Sequence, residues 1–258
     1  MAASMTISPA QSSGKGATEE TRVESACDVA RSRQAVTAMR AEDRIERARL
    51  LYERAVYGGD ASVLATADRE LDAVEADLAL ARGRVIHTRF LAQLDEDLER
   101  PAEDPRELAS FERAEQLYRE LGDVRGEGES LFWVGCFHQV VRQDDDTAVP
   151  ILERSYELGA QVGDKQTMSA ALRHLGIAAH RAGQLDTARQ RLEESTRLRR
   201  EIGLMPGVAA NLVGLAYIAA GSGHRDEALA HLEEAGAIAE ASGAHRITLQ
   251  VEESRVQL

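Results

Sequence analysis

A four-residue signature returns at a nearly constant interval through the second half of the chain: Phe111-Glu112-Arg113-Ala114, Leu152-Glu153-Arg154-Ser155, Leu192-Glu193-Glu194-Ser195 and Leu232-Glu233-Glu234-Ala235. The starts lie 41, 40 and 40 residues apart. A fixed period of this size marks a chain of stacked units, each of which buries its apolar face only against its neighbours. Eleven residues after each start stands a glycine, Gly122, Gly163, Gly203 and Gly243, where a helix ends most easily on a residue that tolerates left-handed backbone. A second helical stretch follows, centred on Val134-Gly135, Leu175-Gly176 and Leu215-Ala216. Its small residue lets two helices approach closely. After a polar turn comes another small residue, Ala148, Ala188 or Ala228, and then the signature again. The small-to-small spacing is 13, 12 and 12 residues, so the first unit holds one extra residue, placed within Gln143-Asp144-Asp145-Asp146, where a loop absorbs it cheaply. Each unit reads as helix, turn, helix.

This pattern resembles the tetratricopeptide repeat, whose helix A carries a Leu-Gly or Leu-Ala step and whose helix B begins with an Ala twelve residues later. The resemblance runs from about Gly83 to Leu258 and is to the longer-period variety found in large bacterial activators. Several family positions are replaced: the Trp before the Gly is Leu131, Leu172 or Leu212, the Tyr after it is His138, Ala179 or Ala219, and no Pro closes helix B. The resemblance implies an all-α fold, a right-handed superhelix (α-solenoid) of antiparallel helix pairs over residues 101–258, closed by a capping helix at Ala244 to Leu258.

The rest of the chain is read as two regions. Residues 1–20, rich in Ser, Thr, Gly and Ala, are expected to be a disordered tail. Residues 21–100 are expected to be helical, with one helix over roughly Thr21 to Tyr57 and a long one from near Ala61 to near Asp97. In the long helix Leu64, Leu71, Leu78 and Val85 recur every seven residues, with Ala67, Val74, Ala81 and Thr88 interleaved. Such a stripe either packs within the chain, as part of an N-terminal cap or irregular repeat, or joins two copies as a homodimer.

Composition narrows the partners. Aromatics are only 4% of the residues, which disfavours strands. The 31 basic residues face 44 acidic ones, a net charge of -13, so a nucleic-acid or anionic-membrane partner is not expected. Cys27 and Cys136 are too few and too far apart for a disulfide framework, and no apolar run approaches a membrane span, so a cytoplasmic location is expected. No phosphate loop, nucleophile elbow, zinc helix, calcium loop or Cys-x-x-Cys pair is present, so no cofactor or metal is expected and the reading leans away from an enzyme.

What the resemblance implies for function is a concave groove lined by the A helices. Carrying over the family positions three before, one after and four after the Gly gives Phe132, Cys136 and Gln139, then Arg173, Ile177 and His180, then Val213, Tyr217 and Ala220. Aligning Ala92 to the small residue of an earlier unit adds Arg89 and Gln93. The set contains cations and apolar groups but no carboxylate, in an acidic protein, which favours a protein or peptide partner bearing acidic groups. A small-molecule effector, or a groove enzyme using Cys136 and His180, is the competing reading. Trp133, one step off the stripe, reads as a helix-packing residue.

Overall fold

The computed structural model describes residues 40–96 and 100–257; the expected tail and most of the helix expected upstream of Ala41 lie outside them. The described residues form ten α-helices: α1 Ala41–Gly58, α2 Leu64–Glu96, α3 Pro105–Leu121, α4 Val124–Val140, α5 Asp145–Val162, α6 Lys165–Arg181, α7 Leu185–Glu201, α8 Met205–Gly221, α9 Arg225–Ala241 and α10 His245–Gln257. No strand occurs among them. Every helix packs on the next, and α2, α4, α6, α8 and α10 also touch one another in series, whereas α3, α5, α7 and α9 do not. The first set therefore lies on the inside of the curve and the second outside. The chain is an all-α repeat solenoid.

The signature is the outer helix gripping its partner. Phe111, Leu152, Leu192 and Leu232 are essentially sealed from solvent. Each of the first three packs where the inner helix has a glycine: an added methyl would stand 2.4 Å from the Phe111 ring at Gly83, 2.7 Å from Leu152 at Gly135, and 3.1 Å from Leu192 at Gly176. The last residue of the signature also has a task in two repeats. The buried Ser155 hydroxyl donates to the carbonyl of Gly128 at 2.7 Å, and Ser195 to that of Ser169 at 2.6 Å. These bonds satisfy inner-helix carbonyls that a hydroxyl side chain reaches from the neighbouring helix.

Helix ends follow the glycines. Gly122, Gly163, Gly203 and Gly243 all have φ between 67° and 74°, the left-handed conformation that stops a helix at little cost. In the turns from inner to outer helix the same conformation falls on Gly183 and Gly223, but in the first full repeat it falls on Gln143, with φ 57°. Gln143 stands five residues before Ala148, as Gly183 and Gly223 stand before Ala188 and Ala228, so the extra residue falls just before Gln143, at the end of α4, and not within Gln143 to Asp146. A non-glycine side chain in this conformation costs about 1 kcal/mol, so Gln143→Gly is expected to raise unfolding stability by up to about that amount, read as a higher midpoint in urea; an unchanged or lower midpoint would show that the side chain compensates.

The first helix pair departs from the expected register. Gly83, not Ala92, is the small residue against Phe111, because α2 runs on to Glu96 and a further stretch precedes α3. The family period therefore stretches in this unit, and Ala92 lies exposed.

Candidate functional site

The inner-face positions separate into two environments. On α4, Phe132, Cys136 and Gln139 are buried, at 8%, 3% and 1% exposure, where α2, α4 and α6 close over one another. Trp133 stacks on Phe111 at 5.5 Å and meets Phe132 edge-on at 5.2 Å, so it packs helices together. These α4 positions form interior, not open groove. Arg89, taken from the Ala92 alignment, is exposed on α2 at the far end of the stack; it and Gln93 are not at the inner-face positions, which belong to Leu80, Arg84 and His87.

On α6 and α8 the carried-over residues do converge. Arg173, Ile177, His180, Val213 and Tyr217 surround one concavity of about 210 Å³. The room arises because Gly176, Ala210 and Gly214 present no bulk to it, while Leu192 floors it and Gln250 of α10 closes one side. Its lining is mostly apolar. Tyr217 is fixed by α10, donating its hydroxyl to Gln257 Oε1 and accepting from Ser254 Oγ, each at 3.0 Å. Helix α10 thus helps build the site.

Beneath this face runs a chain of buried and half-buried polar groups. Glu107 Oε1 accepts from His87 Nδ1 at 2.7 Å. His87 Nε2 lies 3.8 Å and His174 Nε2 3.9 Å from the Cys136 sulfur. His174 Nδ1 donates to Gln139 Oε1 at 2.6 Å, and Gln139 Nε2 donates to Asp145 Oδ1 at 2.9 Å and to the His174 carbonyl at 3.1 Å. His180, exposed at the concavity, is not the partner of Cys136; the two imidazoles from α2 and α6 are. Burial, with Glu107 adding to it, pushes the Cys136 thiol up to about 12. A thiol held protonated and sealed from solvent is a poor nucleophile. Among the described residues no group of three His, Cys, Asp or Glu is arranged to hold a metal ion.

Two arginines are the electrostatic exception. Arg173 donates to the Ala210 carbonyl at 2.8 Å and to Asn211 Oδ1 at 3.1 Å. Arg199, 7% exposed, donates to the Gly207 carbonyl at 2.7 Å and to the same Asn211 oxygen at 3.0 Å. Asn211 is held in turn by donating to Ser195 Oγ at 2.8 Å. Among the described residues neither guanidinium has a carboxylate within ion-pair reach, whereas most surface arginines do. Burial lowers both, and the neighbouring Arg173 helps bring Arg199 down to about 9. Arg199, Asn211 and His87 were not anticipated from the sequence; Arg199 lies on an outer helix, and only the three-dimensional crossing of α7 over α8 brings it inward.

A second concavity, of about 340 Å³, lies between α1, α2 and α3. Its polar groups are already engaged: Arg44 pairs with Glu70 at 3.0 Å, Tyr118 donates to Asp77 at 2.6 Å, Arg69 donates to the Leu121 carbonyl at 3.1 Å and Asp123 accepts from the Gly126 amide at 3.0 Å. It offers little unsatisfied chemistry to a ligand.

An all-α solenoid whose inner helices line one face, with a mostly apolar recess edged by Arg173 between α6 and α8, belongs to the class of helical-repeat folds. Residues 138–201, from the end of α4 through α7, match the tetratricopeptide repeat family model. The matched stretch is similar to tetratricopeptide repeats, and the same helix-pair packing continues on both sides of it. A search of curated proteins returns no match. Such repeats generally serve protein interaction, and no helix among the described residues is long and apolar enough to cross a membrane.

Proposed function

We propose that the array is a non-catalytic adaptor that holds a segment of a partner protein across α6, α8 and α10, an apolar side chain of the segment filling the recess and an acidic group meeting Arg173. The observation that carries this reading is the pair of cations: Arg199 is buried and Arg173 half-buried beside it, neither has a carboxylate within ion-pair reach among the described residues, and Arg173 forms part of the recess wall. A buried cation without a counter-ion is costly, and an acidic ligand group would relieve that cost on binding. The size of the recess, about 210 Å³, suits one side chain of a peptide better than a whole cofactor, for which roughly 300–1,000 Å³ is usual. The protonated, sealed Cys136 argues against the competing enzyme reading.

The test is selection of random nonapeptides on the immobilised full chain. Enrichment of sequences combining a Leu, Ile or Met with a nearby Asp or Glu is expected. Arg173→Met is expected to weaken the selected peptides by roughly tenfold to a hundredfold, the worth of a charge-assisted bond. The same change is expected to alter folding stability by less than about 1 kcal/mol, since an apolar group of similar volume replaces an unpaired buried charge. Enrichment that ignores acidic residues, or binding untouched by Arg173→Met, would overturn the reading.

A further inference from the structure

The opposite end of the stack has an exposed face that the groove reading leaves unused. Among the described residues, nine of the sixteen exposed large apolar side chains lie on α1 and α2, including Leu64, Leu71, Leu78 and Val85, which are 41–54% exposed. The four recur at seven-residue intervals and so form one stripe about 30 Å long on the helix. The side of α2 that faces α3 and α4 is a different one, carrying Ala76, Leu80, Gly83, His87 and Phe90. Alongside the stripe, α2 and α3 leave a concavity of about 440 Å³, edged by Arg82, Arg89 and Arg106. A solenoid end that is not covered in this way normally carries a polar outer face, and a stripe of this kind marks an interaction surface.

The charges beside the stripe identify what fits it. One flank carries Asp68, Glu75, Arg82 and Arg89, again every seven residues and all exposed. The two acidic positions precede Leu78 and the two basic ones follow it. Arg82 and Arg89 make no ion pair among the described residues, and Glu75 meets only the half-exposed Arg113. If a second α2 ran parallel, Glu75 would face Glu75 and Arg82 would face Arg82. Turned antiparallel about a two-fold axis near Leu78, the same flank sets Glu75 of one copy against Arg82 of the other and Asp68 against Arg89, while Leu78 meets Ala81 and Val74 meets Val85. The surface is complementary to itself in that one orientation, which is what a closed two-fold dimer requires.

We infer that the chain forms an antiparallel homodimer through α2, leaving both groove recesses at the outer ends of the assembly. Light scattering of the full chain at tens of micromolar is expected to give about twice the 28.1 kDa chain mass. Leu71→Lys with Leu78→Lys is expected to return it to the monomer with helical circular dichroism unchanged, since both side chains already meet solvent. Arg82→Glu with Arg89→Glu is expected to raise the dimer dissociation constant by roughly tenfold or more, and adding Asp68→Arg and Glu75→Arg to the same chain should restore it, because the complementarity is then reversed but complete. A full chain that stays monomeric, a dimer indifferent to Leu71→Lys with Leu78→Lys, or a charge reversal that the second pair does not rescue would each overturn the inference. A monomeric full chain that dimerises only after deletion of residues 1–39 would instead assign the face to those residues.

Discussion

Gly83→Ala is expected to cost about 2–3 kcal/mol of unfolding free energy, Gly135→Ala about 1 kcal/mol, and Gly176→Ala close to nothing, although all three add the same methyl to the same position of successive repeats. In each case alanine gains up to about 1 kcal/mol of helix propensity over glycine. What differs is the space. The methyl would stand 2.4 Å from the Phe111 ring at Gly83, 2.7 Å from Leu152 at Gly135 and 3.1 Å from Leu192 at Gly176. At the fourth repeat the chain already carries Ala216 opposite Leu232. Phe111 is fully buried and stacked on Trp133, so its ring cannot swing aside without displacing a second aromatic group. Leu192 needs to give by only a few tenths of an ångström. Urea midpoints of the three single variants, followed by helical circular dichroism, test the gradient; equal losses at the three sites would show that clearance at the knob does not govern the packing. Phe111→Leu combined with Gly83→Ala should recover much of the loss, since residues sharing a contact do not add independently.

That gradient also shows what could be read from sequence and what could not. The signature and its C-terminal glycines report local geometry, a knob against a small residue and a helix stop, and local geometry repeats wherever the residues do. The first helix pair escaped because Gly83 and Phe111 are much farther apart in sequence than Gly135 and Leu152, so counting back from the signature lands on the wrong turn of α2. The inner face was legible only in part. Which of its positions stay open depends on how closely successive inner helices approach. Large groups, Phe132, Trp133 and His174, meet one another between α4 and α6 and seal Cys136 and Gln139. Between α6 and α8, Gly176, Ala210 and Gly214 leave the recess. Equivalent positions in a repeat can therefore be core in one unit and surface in the next. The polar chain from Glu107 to Asp145 was invisible for another reason: its members come from five helices and share no spacing.

Acid is expected to destabilise the fold well above the range in which its surface carboxylates titrate, and His174 is the cause. Burial, reinforced by the cations Arg173 and Arg199, lowers the His174 imidazole from 6.5 to about 3. In the unfolded chain the ring takes up a proton near pH 6.5; in the folded chain it stays neutral until about pH 3. Between those values the unfolded state binds the additional proton, so stability falls as the pH is lowered, by up to about 1.4 kcal/mol per pH unit for one group. At pH 4.5 this amounts to roughly 2–3 kcal/mol, lost before the depressed pKa of a carboxylate such as Asp104 brings its own contribution. His138, also lowered by burial, adds in the same direction. The neutral ring is built into the fold: its Nδ1 donates to Gln139 Oε1, and a proton on Nε2 would bring a charge beside Cys136 and the two arginines. His174→Gln, which keeps a polar group near Gln139 but cannot be charged, is expected to lower stability at pH 7.5 by about 1–2 kcal/mol through imperfect fit. Its urea midpoint should then change far less than that of the parent chain between pH 6.5 and pH 4.5. Parallel pH profiles for the two proteins would place the acid sensitivity elsewhere, while a profile flattened by close to one proton would assign it to the imidazole that α2, α4 and α6 enclose.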